Sequence, residues 1–159
     1  RANASVAVKT IEVLNSRRGF GINDMEIRKG LSAARWPGRM EYRDGNLLID
    51  CAHNEEGFAS LGEELGKVAG RRLIFVIALL KDKNVDKIAG TVNALAHKVI
   101  LTRSRNERSM PPREMKDKFR NVEAVIEDSA DALKRAKSLA RGDDLIVAAG
   151  SIYFIGEII

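Results

Sequence analysis

The spacing of apolar residues changes character near residue 36 of this 159-residue chain. Before it, Val6, Ala7, Ile11 and Leu14 recur at helical intervals, predicting a helix over 3–16. Arg17-Arg18-Gly19-Phe20-Gly21 breaks that helix, and Asn23 with Glu26 three residues later reads as a capping box for a short helix through Leu31. Beyond it the apolar residues gather into short runs. Arg39–Arg43 and Leu47–Asp50 read as two strands around the turn Asp44-Gly45-Asn46. Leu73–Leu79 is wholly apolar, as expected of a strand buried on both faces. Lys98–Thr102, Val122–Ile126 and Leu145–Ala149 are further strands. Helices are predicted over Glu55–Val68, Val85–Leu95, Pro112–Phe119, Ser129–Ala140 and Ile152–Ile159.

Strands alternating with helices imply an α/β fold with a mostly parallel sheet, to which the first hairpin adds an antiparallel edge. Residues 32–37, with Pro37-Gly38, form the expected boundary between a helical segment over 1–35 and an α/β domain over 36–159. In open sheets of this kind ligands gather at the carboxyl ends of the strands. Asp50, Lys81 to Asn84, Arg103 to Asn106 and Gly150-Ser151 all follow predicted strand ends.

Composition narrows the classes of function. With 45% hydrophobic and 31% charged residues, the chain has a soluble, globular balance. No apolar run is long enough to span a membrane, and no signal peptide is present. One cysteine excludes an internal disulfide and fits a reducing, cytoplasmic setting. Two histidines and one cysteine are too few for a zinc site of those ligands. The net charge of +5 is spread along the chain and interleaved with 22 acids. No aromatic RNA-binding signature or basic reading helix accompanies it, so neither nucleic acid nor membrane is an expected partner. The chain begins at Arg1, which suits a piece of a longer protein.

Candidate chemistry concentrates in two segments, Trp36-Pro37-Gly38-Arg39 and Asp50-Cys51-Ala52-His53-Asn54. Arg39 follows a Pro-Gly pair that would fix its backbone. Its guanidinium is either a rigid fork for phosphate oxygens or an ordinary surface charge. Asp50 ends a strand, where a carboxylate can accept from ribose hydroxyls or pair with an arginine. His53 and Asn54 stand at a helix start, where free N–H groups favour anions. Alternatively Asn54 caps the helix and His53 packs on it. Cys51 reads as a small buried residue. Lys83 could grip a carboxylate, while Asp82 or Asn84 caps the next helix. Ser151 is either a cap or a ligand contact. Arg103 to Arg108 is a basic loop, by default solvated, at the rim of the same edge. No Walker A loop is present: Gly62-Glu63-Glu64-Leu65-Gly66-Lys67-Val68 has the wrong spacing, lacks Ser or Thr after its lysine and lies in a predicted helix.

In combination, Asn3-Ala4, Ile27-x-x-Gly30-Leu31, Trp36-Pro37-Gly38-Arg39, Asp50-x-Ala52-His53-Asn54, Leu79-Leu80-x-Asp82-Lys83 and Gly150-Ser151 resemble folylpolyglutamate synthase/dihydrofolate synthase, of the Mur ligase superfamily. The family's Asp-Lys-Asp loop reads Asp82-Lys83-Asn84 here. The resemblance covers nearly the whole chain. It implies a three-layer, Rossmann-like C-terminal domain over 36–159, preceded by the helical tail of a central ATPase domain. The activity implied is an ATP-dependent ligase that adds L-glutamate to a folate-type carboxylate through an acyl phosphate. ATP and Mg2+ would serve the full-length enzyme, with the P-loop and metal ligands outside this chain, so that the fragment alone is inactive.

Carried over by residue, the resemblance makes Asn3 an adenine contact, Arg39 the phosphate-binding arginine and Asp50 the ribose contact. His53 falls near the phosphate and the incoming glutamate. Lys83 and Ser151 match positions that hold the amino-acid carboxylates. Arg39 and His53 are then the catalytic pair, and no metal ligand is expected among these residues. Two other readings remain: a sister Mur or cyanophycin-type ligase, and a non-catalytic α/β ligand-binding domain.

Overall fold

The computed structural model describes residues 2–68 and 70–159 and divides into two compact units, Arg1–Trp36 and Pro37–Ile159. In the first, α1 (Ala2–Arg18) and α2 (Asp24–Ala33) are joined by a turn in which Gly19 and Gly21 take left-handed φ of 63° and 67°. The Asn15 side chain closes that turn, donating to the Ile22 carbonyl at 2.6 Å and accepting from the Ile22 N–H at 3.1 Å. The capping box forms: Asn23 Oδ1 accepts from Glu26 N–H, and Glu26 Oε2 accepts from Asn23 N–H. Asn3 lies exposed in the first turn of α1.

The second unit is a six-stranded sheet covered by helices on both faces. Its strands are β1 (Glu41–Arg43), β2 (Leu47–Asp50), β3 (Leu73–Ile77), β4 (Ala96–Leu101), β5 (Val122–Val125) and β6 (Leu145–Ala149), in the spatial order β1-β2-β6-β3-β4-β5. β1 pairs antiparallel with β2 at one edge, and every other pairing is parallel. The period-2 alternation of strand side chains sorts the core. Leu48, Phe75, Ile77 and Val147 face α3 (Glu55–Gly66) and α4 (Val85–Leu95), which contribute Phe58, Leu61, Leu65, Ile88 and Val92. Ile49, Ile74, Val76 and Ile146 face α6 (Ser129–Leu139) and α7 (Ile152–Ile158), which contribute Leu133, Ala136, Phe154 and Ile155. All five residues of β3 and all five of β6 are buried, which accounts for their unbroken apolar sequence. Pro112–Met115 is a single helical turn, α5, prolonged by a 3₁₀ turn through Lys118.

The row Asp50–Ala149–Ile77–Leu101, with Val125 beside it, marks the carboxyl edge of the sheet. The chain leaves β2 and β3 for α3 and α4 on one face, but leaves β6 for α7 on the other. Ligand sites in open α/β sheets fall where connections diverge in this way, here at the end of β6 between β2 and β3. Some elements are shorter than their sequence suggests: β3 ends at Ile77, not Leu79, and α3 at Gly66, not Val68. Strand β1 begins at Glu41, not Arg39, because Gly38 and Met40 adopt left-handed φ of 71° and 45°, which no extended strand accommodates.

Candidate functional site

Arg39 stands in a loop laid against the chain as it leaves β2. The Cys51 N–H donates to the Gly38 carbonyl at 2.6 Å, and the Met40 N–H donates to Asp50 Oδ2 at 2.9 Å. The loop packs so closely that a Cβ on Gly38 would come 2.6 Å from Cys51 Sγ and 3.0 Å from Ile155. Left-handed φ at a residue such as Met40 costs roughly 1–3 kcal/mol and persists only where its surroundings hold it. Asp50 is one of the groups that hold it. Buried at the end of β2, Asp50 also accepts the Ala52 N–H on Oδ1 at 2.7 Å. Each oxygen therefore binds one backbone donor and keeps a second lone pair.

The Arg39 side chain is exposed and makes no hydrogen bond or ion pair with the described residues. Its charge is felt by Cys51. Burial and the Asp50 carboxylate push that thiol up, and the Arg39 guanidinium opposes them. Cys51 is thus a protonated packing residue beneath the loop. His53 is exposed, and its Nδ1 lies 2.9 Å from the Cys51 carbonyl. A carbonyl only accepts, so in the neutral ring Nδ1 carries the hydrogen and Nε2 presents a lone pair. Asn54 caps α3, accepting from Gly57 N–H at 2.9 Å.

On the neighbouring strand, Gly150 and Ser151 follow β6. Ser151 is 1% exposed and caps α7, its Oγ accepting from Tyr153 N–H at 3.2 Å. What Ser151 has left to offer is its O–H. Lys83 lies beyond β3 on a loop zipped to the chain that follows β4. Leu80 bridges Ser109, Lys81 N–H donates to the Arg108 carbonyl, and Met110 N–H donates to that of Leu79. Lys83 Nζ donates to Asp82 Oδ2 at 2.7 Å, and Arg108 Nη2 donates to Asp82 Oδ1 at 3.1 Å. These cations, Lys83 foremost, hold the Asp82 carboxyl below its usual range. Asn84 caps α4.

The structure therefore gathers Arg39, Asp50 and His53 around the end of β2 and sets Ser151 one strand away. Lys83 is one strand further, on the side of β4. Asn3 belongs to the other unit. A cavity of about 380 Å³ at the ends of β4 and β5 is lined by Lys81, Arg103, Ser104, Arg105, Asp128 and Glu157, among others, and by none of the six sequence candidates.

Residues 38–152 match the Mur ligase, glutamate ligase domain family. The chain belongs to that family. A dihydrofolate synthase/folylpolyglutamate synthase of Bacillus subtilis is 30% identical over 162 residues, covering 99% of this chain and 38% of the relative. A folylpolyglutamate synthase structure from Thermotoga maritima superposes with a TM-score of 0.72 at 34% identity, over 97% of this chain and 36% of that one. An Escherichia coli FolC structure, in complex with DHPP and ADP, gives a TM-score of 0.87 at 20% identity and covers 98% of this chain and 37% of that one. At that identity it attests the shared α/β fold. The chain thus spans well under half of the relatives it matches.

Within this glutamate ligase domain, Glu41 carries no signal in the sequence, and Arg108 reads only as part of a solvated basic loop. Glu41 opens a strand and looks like an ordinary surface acid. Arg108 sits in a loop of mixed charge, and its partner Asp82 is 26 residues away. Ser104 is only one residue of that loop, yet its hydroxyl is buried without a hydrogen-bond partner among the described residues. An unmet buried hydroxyl costs about 1–3 kcal/mol. Ser104→Ala is therefore expected to raise stability by up to about 1 kcal/mol. The check is a higher urea midpoint at unchanged slope. A lower midpoint would mean that the hydroxyl makes a bond in solution.

Proposed function

We propose that this chain is the C-terminal domain of an ATP-dependent ligase that adds L-glutamate to a folate-type carboxylate. The observation that carries the proposal is the Arg39 guanidinium, unpaired among the described residues, on a turn whose backbone is held against the end of β2, the strand that His53 follows, in a glutamate ligase domain. In this reading the acceptor carboxylate attacks the γ-phosphorus of ATP, ADP departs, and an acyl phosphate forms. The glutamate amine then attacks the acyl carbon, and inorganic phosphate leaves.

Negative charge accumulates on the phosphoryl oxygens in both steps. A fixed cation facing it lowers the barrier without having to reorganise. Arg39 is that cation, and its planar fork suits two phosphate oxygens. The free Nε2 of His53 takes the proton that the glutamate ammonium must lose. Asp50 accepts from the ribose hydroxyls through the lone pairs its backbone donors leave free. Asn3 meets the adenine. Lys83, shared with Asp82, and the Ser151 O–H receive the carboxylates of the amino acid. Closure over the nucleotide excludes water that would hydrolyse the acyl phosphate.

ATP carries Mg2+ into such reactions. Among the described residues no group of three His, Cys, Asp or Glu side chains is placed to hold a metal ion, so this domain does not fit that role. The metal ligands, the P-loop and the folate site belong to the N-terminal and central domains of the same polypeptide. Residues 1–35 are the tail of the central one.

The test is carried out on the full-length enzyme. Phosphate release should depend jointly on ATP, L-glutamate and a folate-type acceptor. Activity only with a UDP-muramoyl peptide acceptor would assign a sister ligase instead. Lys83→Ala is expected to raise the KM for glutamate at least tenfold, about 1.4 kcal/mol, and to change the KM for ATP much less. Unchanged glutamate dependence would remove Lys83 from the amino-acid site.

A further inference from the structure

Arg39 is flanked by two left-handed residues, and the N–H of each is received by a carboxylate. Met40 N–H goes to Asp50, and Gly38 N–H goes to Glu41 Oε2 at 2.7 Å. Glu41 follows Arg39 by two residues, yet its carboxylate is not paired with the Arg39 guanidinium. Its second oxygen accepts from Arg43 Nε, also at 2.7 Å, across the same face of β1. The Glu41 side chain is 28% exposed. The Gly38 N–H first, and Arg43 after it, hold its carboxyl below the usual range, so it stays ionised.

The consequence is geometric and electrostatic together. Glu41 fixes the amide that enters the Arg39 turn, while Asp50 fixes the amide that leaves it. Arg43, not Arg39, engages the second oxygen of the Glu41 carboxylate. The loop therefore presents Arg39 in one backbone setting and leaves its charge uncompensated.

We propose that Glu41, braced by Arg43, is a positioning residue for Arg39: it binds no ligand, and it sets where the guanidinium stands and keeps that guanidinium free for an anion. The inference rests on the reading of Arg39 as the phosphate-binding arginine.

Losing the Gly38–Glu41 bond leaves the Arg39 charge in place but frees the turn that aims it. A displacement of about 1 Å at a reacting group can cost about 10²-fold in rate. In the full-length enzyme, Glu41→Ala is therefore expected to lower kcat roughly tenfold to a hundredfold, with little change in the KM for the folate-type acceptor or for glutamate. Glu41→Gln should recover most of the loss, because its amide oxygen still accepts from Gly38 N–H. Arg43→Met keeps that bond and removes only the brace, so its loss should be smaller. It also serves as the test variant if Glu41→Ala does not fold.

The deciding measurement is the pair Arg39→Ala and Arg39→Ala/Glu41→Ala. A residue that acts through Arg39 adds nothing once Arg39 is gone, so the two should have the same kcat. A residue that merely holds the hairpin lowers kcat and thermal midpoint alike in both backgrounds. Additive losses, or a normal kcat for Glu41→Ala beside a strongly impaired Arg39→Ala, overturn the positioning role alone. An Arg39→Ala enzyme of normal kcat overturns the phosphate reading, and the positioning role with it.

Discussion

Arg39→Ala in the proposed full-length ligase is expected to lower kcat by about 10²–10³, a loss of about 2.7–4 kcal/mol of transition-state stabilisation. The magnitude follows from where the charge stands. Arg39 has no carboxylate partner among the described residues, so no local ion pair must be broken before it meets phosphate. Its backbone is held on both sides by Glu41 and Asp50, so only the side chain has to settle as it meets the phosphate. Arg39→Lys should recover only part of the loss, because an ammonium supplies charge without the two parallel donors of the fork. Single-turnover measurement of phosphate release separates the chemical step from binding. A near-normal rate for the alanine variant would remove Arg39 from the reaction.

The second large effect is structural. Gly150→Ala is expected to destabilise the domain by at least about 3 kcal/mol, from two independent causes. The residue has φ of +122°, a conformation that L side chains rarely adopt, and a Cβ there would overlap the carbonyl oxygen of Ala78 while also pressing on Leu79. The Ala78 obstacle is backbone, and Leu79 meets the Cβ with a side-chain methyl of a fully buried residue. The Ala78 peptide is itself tied to β6 by the bond from its N–H to the Ala149 carbonyl. Relief therefore requires β3 and β6, both fully buried, to move apart at the carboxyl edge. The urea midpoint of the variant, or the failure to recover a folded chain, gives the result. A cost under about 1 kcal/mol would mean that this edge is far more compliant than a close-packed core allows.

Much of the fold was legible along the chain because its causes are local. Five-residue apolar runs such as Leu145–Ala149 have few alternatives to a strand buried on both faces. Asn23, Asn54, Asn84, Asp128 and Ser151 each stand one residue before a helix and cap it with their own side chains. Ser151 was open between cap and ligand contact. The structure uses its oxygen as a cap and leaves its hydroxyl hydrogen for any further bond.

Other features have causes that no local pattern contains. Arg39 reads as part of a strand, since a run of side chains gives little sign that Gly38 and Met40 turn left-handed. The reason lies ten residues on, in the buried Asp50 carboxylate and the Cys51 amide that receive the loop. Asp82 shares itself between Lys83 and Arg108 only because Leu80 bridges Ser109 and brings two loops together. The cavity between the ends of β4 and β5 depends on Glu157, which accepts from the Arg105 N–H 52 residues earlier in the chain.

The sequence by itself determined the strands and helices, the parallel α/β class and the residue types available at the strand ends, because period, caps and turn residues act over a few positions. Tertiary structure alone decided that β6 inserts between β2 and β3, and so which strand ends are neighbours. It also decided that two carboxylates hold the turn carrying Arg39 instead of neutralising its charge. Both outcomes depend on backbone groups far apart in the chain finding partners once the sheet has formed, and a linear pattern of side chains does not record which partners those will be.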